Sequence, residues 1–209
     1  MTEKSKAILA YFDQLLGEVH CELHYRNAFE LLIAVMLSAQ TTDQRVNLVT
    51  PELFAQYPTP EKMAEATVED IAQIIRSLGL YQNKAKSIHQ TARVLVEKYD
   101  GVVPSSKEEL TSLPGVGVKT ANVVRAEYFH LPEIAVDTHV ARLAKRLGYA
   151  KESDSVEVIE KKLRKSFPQE RYILLHHQLI HFGRYYCKAM RPECANCQLK
   201  DYCKEKKKK

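Results

Sequence analysis

Four of the five cysteines lie close together near the end of the chain, at Cys187, Cys194, Cys197 and Cys203. Their spacing is C-x6-C-x2-C-x5-C, and the basic residues Lys188 and Arg191 lie between the first two. Four thiolates this close along a chain can surround one metal centre. Structural zinc usually takes two close pairs of cysteines, whereas a 4Fe–4S centre accepts more varied spacing. Only Cys194 and Cys197 form a close pair, so the spacing predicts a metal-binding loop and leaves zinc and iron–sulfur as alternatives.

A second segment that could do chemistry is Leu113-Pro-Gly-Val-Gly-Val-Lys119-Thr-Ala, between two helical patterns. Gly115 and Gly117 permit positive φ and a close approach of another backbone. The amides that open the second helix are expected to point outward, where they and the helix dipole can hold a phosphate. The spacing is not that of a P-loop, which argues against nucleotide hydrolysis. A plain αα-hairpin turn is the alternative, but the Leu113-Pro114 anchor and the following lysine favour phosphate binding.

Lys119 and Asp137 are the candidate catalytic side chains. Lys119 is predicted in the first turn of a helix, where the dipole disfavours a cation and favours the neutral amine that Schiff-base chemistry requires. Asp137 precedes another helical pattern, where a carboxylate most often serves as an N-cap. It could also stabilise positive charge on a sugar. Considered alone, Lys119 is better explained as a phosphate-binding or solvated lysine, Asp137 as a cap, and His139 as a structural residue.

The elements that must position these residues are predicted to be helices throughout, because alternating β-branched runs are missing. Residues 29–37 are apolar nearly all round, which predicts a central buried helix. Thr67 is expected to cap a helix that ends at Gly79. Ser105 to Glu108 fits a capping box for a short helix. Further helices are predicted over about 83–99, after Asp137, after Asp154, and over about 169–186. The fold class is therefore all-α.

The composition is that of an ordinary globular protein, with 45% hydrophobic and 27% charged residues. The net charge of +5 is compatible with nucleic acid, and the lysine run 206–209, which contributes to it, is expected to be solvated. No signal peptide or membrane span is apparent. The odd thiol of Cys21 and the missing export signal favour a reducing cytoplasm, where clustered cysteines bind metal more often than they form disulfides.

Three motifs in order carry a resemblance to a known family. Leu113-Pro-Gly-Val-Gly-Val-Lys119-Thr-Ala, then Ala135-Val-Asp137-Thr-His, then the four-cysteine pattern resemble the endonuclease III family of helix-hairpin-helix DNA glycosylases with AP lyase activity. The likeness extends from about Glu22 to Cys203. It implies two helical lobes with a DNA cleft between them: residues 22–132 carrying the hairpin, and residues 1–21 with 133–209 carrying a 4Fe–4S cluster loop.

The resemblance also implies the function. We expect a bifunctional base excision repair enzyme that removes oxidised pyrimidines from duplex DNA and cuts 3′ to the abasic site by β-elimination. Lys119 is implied to attack C1′ of the damaged nucleoside, and Asp137 to assist it and to stabilise the oxocarbenium. The four clustered cysteines are implied to bind one 4Fe–4S cluster. The expected enzyme is a cytoplasmic, nucleoid-associated monomer.

The expected DNA contacts come partly from the motifs and partly from the resemblance. Gly115 and Gly117 are expected to grip a phosphate, and Lys188 and Arg191 are further candidate phosphate contacts. The resemblance adds Gln40, which would fill the gap left by a flipped base, and Leu80, its wedge partner. Extruding a base costs about a few kcal/mol, so residues that fill the gap are physically expected. Without the resemblance, Gln40 and Leu80 would be assigned as ordinary loop and helix-end residues.

One position departs from the family pattern, and two other functions stay open. Val118 stands where the family usually has arginine or another polar residue, which could alter one backbone contact or the damage preference. An adenine-mismatch glycosylase of the same fold lacks the lyase lysine, so Lys119 argues against it. A non-catalytic DNA-binding module with a zinc knuckle would lack iron and would form no covalent adduct with DNA.

Overall fold

The computed structural model describes residues 1–205, so the lysine run 206–209 lies outside the described residues. Within residues 1–205 every regular element is helical, as the hydrophobic pattern predicts. The α-helices are α1 (Glu3–Leu16), α2 (Ala28–Leu37), α3 (Asp43–Gln56), α4 (Pro60–Glu65), α5 (Val68–Ile74), α6 (Tyr81–Tyr99), α7 (Lys107–Ser112), α8 (Val118–Glu127), α9 (Thr138–Arg146), α10 (Val156–Ser166) and α11 (Tyr172–His181). Gln169–Arg171 and Lys200–Tyr202 are 3-10 turns, and Phe182–Tyr186 is π-helical.

The chain divides into two compact units. The hairpin unit is Glu22–Leu131. The cysteine unit combines Met1–Cys21 with Pro132–Lys209, of which residues 206–209 are not described. Each unit has its own apolar core.

Helix α2 is the centre of the hairpin unit. Residues 29–37 are all 7% exposed or less, because the sequence is apolar on every side of the helix. Asn27 caps the helix, and its Oδ1 accepts from the Glu30 amide at 2.9 Å. The buried Glu30 carboxylate is bonded by the Arg26 guanidinium, with Nη2 to Oε1 at 2.6 Å. Helices α3, α6 and α8 pack against α2, which confirms the predicted central position.

Two predicted helix boundaries in this unit are wrong. Thr67 does cap α5, accepting from the Asp70 amide at 3.1 Å, but α5 ends at Ile74 rather than at Gly79. Ile75 and Leu78 remain buried although the backbone has tightened into turns, so the apolar period continues past the helix end. The cap of α7 is Ser106, which accepts from the Glu109 amide at 3.1 Å, one residue later than the predicted box.

The core of the cysteine unit is built by α1, α9, α10 and α11. The Phe12 and Phe182 rings lie 5.1 Å apart between centroids, and Tyr11 meets Phe182 edge-on at 6.0 Å. Leu199, within the four-cysteine segment, is 1% exposed and belongs to the same core. The cysteine-rich segment is therefore anchored to the unit by its own apolar side chain.

Among residues 1–205, the helices are too short or too polar for any of them to cross a bilayer.

Candidate active site

The glycine hairpin joins α7 to α8 in the hairpin unit. Leu113 and Val116 are buried, and the Val116 amide donates to the Leu113 carbonyl at 3.1 Å, which closes the turn. Gly115 has φ +75°, a conformation that glycine adopts without strain. A Cβ at Gly115 would lie 2.9 Å from the Ser87 Cβ, so the turn also needs glycine to fit against α6. The apolar residues anchor the turn and leave its glycines exposed.

Helix α8 begins at this turn without a side-chain cap. Gly117 is its N-cap, with φ −91°, and as a glycine it has no side chain to accept from the first-turn amides. Free N–H groups at the positive end of a helix form an anion-binding position. Gly117 has nothing within 4 Å of its hypothetical Cβ, so the approach to these amides is open. The hairpin is therefore suited to hold a phosphate through its backbone.

Lys119 and Val118 lie in the first turn of α8, and both are exposed. The amine of Lys119 is thus reachable from solvent and lies at the helix end where the dipole disfavours a cation. The exposed valine beside it has no polar side chain to offer a DNA backbone. Lys119 has the placement required of a nucleophile, next to a position suited to phosphate.

Gln40 and Leu80 share an unusual backbone conformation in the hairpin unit. Gln40 has φ 56° and Leu80 has φ 58°, both in the left-handed region that residues with a Cβ rarely adopt. Both side chains are exposed, Leu80 to 58%. Gln40 follows α2 and Leu80 is the N-cap of α6. Left-handed residues of this kind persist only where the surrounding structure holds them, and they concentrate at functional sites.

Asp137 lies in the cysteine unit, where it is the N-cap of α9. Its Oδ1 accepts from the Val140 amide at 2.8 Å, which confirms the predicted cap. The side chain is half-buried, and Oδ1 is the oxygen that serves the cap. His139, in the first turn of α9, shares a hydrogen bond with Arg142 at 3.2 Å, in keeping with the structural role expected of it.

The four clustered cysteines lie on one segment that follows a distorted helix. Cys187 comes directly after the π-helical turn Phe182–Tyr186, and its amide donates to the Phe182 carbonyl at 2.7 Å. The Cys197 amide donates to the Cys194 carbonyl at 3.3 Å. Burial raises the pKa of the Cys197 thiol, and the neighbouring charges of the other three cysteines raise it further. The four thiols are thus close enough to act on one another.

A four-sulfur donor set of this kind fits a metal centre that neutralises several thiolates together. Within residues 1–205, however, no three cysteine, histidine or carboxylate side chains are already converged on one point. The thiols lie near one another along a loop without forming a ready-made cage.

Two arginines of α9, which the sequence analysis missed, hold the start of this segment. Arg146 donates from Nη1 to the Cys187 Sγ at 3.3 Å and to the Lys188 carbonyl at 2.8 Å. Arg142 donates from Nη2 to the Gly183 carbonyl at 2.7 Å and to the Cys187 carbonyl at 3.1 Å. Burial raises the pKa of Cys187, and the Arg146 guanidinium opposes this. Arginines four residues apart on one amphipathic helix were the signal available in the sequence.

The two basic residues predicted to contact DNA are exposed on the cysteine segment. The Lys188 ammonium lies 3.3 Å from the Glu193 carboxylate, an ion pair open to solvent and so of little energetic weight. Arg191 has φ 51°, another left-handed residue with a Cβ. Gln40, Leu80, Gly115, Gly117 and Lys119 lie in the hairpin unit, whereas Asp137, Lys188, Arg191 and the four cysteines lie in the cysteine unit.

This chain is similar to known DNA repair proteins along most of its length. The pattern of the HhH-GPD superfamily of base excision DNA repair proteins matches residues 33–169. Endonuclease III of Bacillus subtilis (strain 168) is 50% identical over 195 residues, 93% of this chain and 89% of that protein. Endonuclease III of Escherichia coli (strain K12) is 46% identical over 187 residues, 90% and 88% of the two chains. The solved structure of a trapped endonuclease III–DNA covalent intermediate is similar, with a TM-score of 0.93 at 49% identity, covering 98% of this chain and 97% of that one.

Proposed function

This chain belongs to the endonuclease III family of HhH-GPD base excision DNA repair proteins, and we propose that it removes oxidised pyrimidines from duplex DNA through a Schiff base at Lys119. Like its family, it is a DNA glycosylase with AP lyase activity. The observation that carries the residue assignment is the exposed Lys119 in the first turn of α8, directly after a hairpin whose amides are free to hold a phosphate.

The reaction we propose begins with the Lys119 amine. The nitrogen attacks C1′ of the damaged nucleoside, the C1′–N glycosidic bond breaks, and the base leaves with the bonding electrons. Loss of a proton from nitrogen and opening of the sugar ring give the Schiff base. A proton then leaves C2′, the bond from C3′ to its oxygen breaks, and the 3′ phosphate departs. Water hydrolyses the remaining imine and releases Lys119.

For Asp137 we propose a charge-stabilising role in the same reaction. A carboxylate can stabilise the positive charge that develops on the sugar as the glycosidic bond breaks. One oxygen of Asp137 accepts from the Val140 amide, and this bond fixes the direction of the carboxylate group. The cap therefore supports a carboxylate with one oxygen committed to the backbone and the other available.

We further propose that Gln40 and Leu80 fill the space of the extruded base. Leu80 presents an exposed apolar side chain of the kind that proteins insert between bases. Gln40 carries an amide that can hydrogen-bond an unpaired base. The free amides after Gly115 and Gly117, together with Lys188 and Arg191, are proposed to contact phosphates, so binding should weaken as salt rises.

We propose that Cys187, Cys194, Cys197 and Cys203 hold one 4Fe–4S cluster. Bound there, the cluster would supply a structural tie across the segment that carries Lys188 and Arg191. The placement of the four cysteines on one short segment, and the Arg146 bond to the Cys187 sulfur, support this assignment. We also infer that the enzyme acts as a monomer on the DNA of the bacterial nucleoid, since one chain carries every proposed residue and the relatives compared are bacterial.

Borohydride trapping tests the proposal. The protein is incubated with a duplex that carries one oxidised pyrimidine, and borohydride is added during turnover. A covalent protein–DNA adduct is expected for the wild type and for Lys98→Ala, which removes an exposed lysine of the same unit. Lys119→Ala should give no adduct and no strand cleavage while it still binds the duplex. Cleavage by Lys119→Ala, or a wild type that never forms an adduct, would rule out the assignment.

A further inference from the structure

Lys84, in the first turn of α6, is a buried lysine that has no role in the reaction proposed above. Its side chain is almost entirely covered, and the residue is 7% exposed. The ammonium donates to the Thr41 hydroxyl across 2.6 Å, joining positions 43 residues apart. Burial lowers the pKa of this amine, and no carboxylate acts against that shift. Burying an ammonium against one neutral hydroxyl is costly, so this arrangement calls for a reason other than stability.

The two ends of this hydrogen bond lie near two left-handed residues, Gln40 and Leu80. Thr41 directly follows Gln40, and the Lys84 amide donates to the Leu80 carbonyl at 3.0 Å in the first turn of α6. A left-handed residue with a Cβ costs about 1–3 kcal/mol and reverts unless its neighbours hold it. One side chain thus connects the segment after α2 to the segment before α6.

We propose that Lys84 is a positioning residue that holds two turns in one fixed arrangement, so that the side chains of Gln40 and Leu80 enter the duplex together. The Gln40 turn is residues 38–41, after α2, and the Leu80 turn is residues 79–80, before α6. The proposal rests on the role proposed above for Gln40 and Leu80. A pair of inserting residues works only when both are in place as the base leaves the stack, because an unfilled gap lets the base return. Lys84 itself touches neither the base nor the sugar.

The same face of α6 continues to the hairpin. Ser87 packs against Gly115, because a Cβ placed on Gly115 would lie 2.9 Å from the Ser87 Cβ. Thr91 donates from Oγ1 to the Pro114 carbonyl at 2.6 Å. Lys84, Ser87 and Thr91 follow one another at three- and four-residue intervals, the spacing of a single helix face. This face therefore sets the Gln40 turn, the Leu80 turn and the phosphate-binding hairpin at fixed positions along one rigid element.

The test separates base extrusion from chemistry. Lys84→Met keeps the length of the side chain but removes the ammonium, and Thr41→Val removes the hydroxyl. Each is assayed for excision of an oxidised pyrimidine from a duplex and for cleavage of a preformed abasic site in single-stranded DNA, which has no paired base to displace. We expect duplex excision to fall by about 10- to 100-fold in both variants, since small misplacement of positioning groups has effects of that size. Single-stranded cleavage should stay within about twofold of wild type, because the chemical groups are intact.

Three controls sharpen the result. Lys86→Met removes an exposed lysine of the same helix and should match the wild type. Thr41→Ser keeps the hydroxyl and should restore duplex excision. The double variant Lys84→Met with Thr41→Val should be no worse than either single variant, because the two partners form one interaction.

The outcomes divide cleanly. Unchanged duplex excision in Lys84→Met would overturn the proposal, and so would an equal loss of both reactions, which would indicate a merely structural role. If the wild type forms no borohydride adduct at all, the proposed function fails and the positioning role with it. If the wild type forms the adduct but the variants show no selective loss of duplex excision, the positioning role alone is refuted.

Discussion

The Asp137 carboxylate and the Val140 amide form the bond that begins helix α9, with Oδ1 and N 2.8 Å apart. Val140 itself is fully buried, so this bond lies at the edge of the core of the cysteine unit. Asp137 therefore has a structural role, the capping of α9, that is separable from the charge-stabilising role proposed for its carboxylate. The two roles predict different results for two substitutions.

Asp137→Asn should keep the cap and lose the charge, whereas Asp137→Ala should lose both. Asparagine caps helices as well as aspartate does, so the thermal midpoint of Asp137→Asn should stay close to wild type, and Asp137→Ala should cost about 1 kcal/mol. Both should lower the single-turnover rate of base excision by about 10²-fold or more. Full activity in Asp137→Asn would refute the proposed charge-stabilising role.

The two hairpin glycines should respond differently to alanine. Gly115→Ala places a Cβ at φ +75° and 2.9 Å from the Ser87 Cβ, so it should destabilise the hairpin unit by about 1–2 kcal/mol. Gly117 has negative φ and open space around it, so Gly117→Ala should change stability by less than about 0.5 kcal/mol. Urea unfolding of the two variants measures the contrast, and equal losses would contradict it.

Removing a single clustered thiol should release the metal. Cys197→Ser is expected to lose iron and visible absorbance and to bind duplex DNA more weakly, because Lys188 and Arg191 would lose their support. Cys21→Ser is the matched control, since Cys21 lies far from the cluster in sequence and should leave iron content unchanged. Zinc in place of iron in the wild type, or full activity in a colourless Cys197→Ser protein, would count against the assignment.

Asp13 should make the cysteine unit sensitive to acid. A hydrogen bond from Arg171 holds the pKa of the Asp13 carboxyl below its ordinary value, and Gln178 Nε2, 3.0 Å away, lowers that pKa further. A carboxyl whose pKa is lowered by folding stabilises the fold above its unfolded value near 3.9 and loses this as pH falls through the folded value.

The pair is partly exposed, so its contribution is expected to be no more than about 1 kcal/mol. Thermal midpoints of wild type and Asp13→Asn at pH 7 and pH 3 provide the measurement. The difference between the two proteins should be present at pH 7 and shrink at pH 3. A difference that is constant with pH would show that the carboxylate charge contributes nothing.

Helical periodicity located the elements of this fold better than their ends. The apolar run 29–37 predicted α2, because a helical segment that is apolar on every side is typical of a buried helix. The end of α5 was missed because Ile75 and Leu78 are buried by the rest of the unit, not by the helix. Contacts with the rest of the unit bury these residues, so the apolar pattern of the sequence continues beyond the end of the helix.

The candidate site, too, could be predicted only where its residues are adjacent in sequence. The hairpin was predictable because its glycines, anchor and lysine are adjacent in sequence, and the structure places Lys119 exposed in the first turn of α8. The bonds of Lys84 to Thr41 and of Arg146 to Cys187 join residues 43 and 41 positions apart. No local pattern pairs residues that lie this far apart in the sequence. The left-handed conformation of Leu80 could not be predicted from the sequence either, because leucine rarely adopts it.

The π-helical turn Phe182–Tyr186 has a consequence for any attempt to make this helix more regular. Each residue of an α-helix advances the chain by about 100° around the axis, and each residue of the wider π-helix advances it by less. Rewinding the same five residues into an α-helix would therefore rotate Cys187 about the axis, away from Arg146 and from the other three clustered cysteines. The π-helical turn thus sets the direction of the first thiol of the cluster.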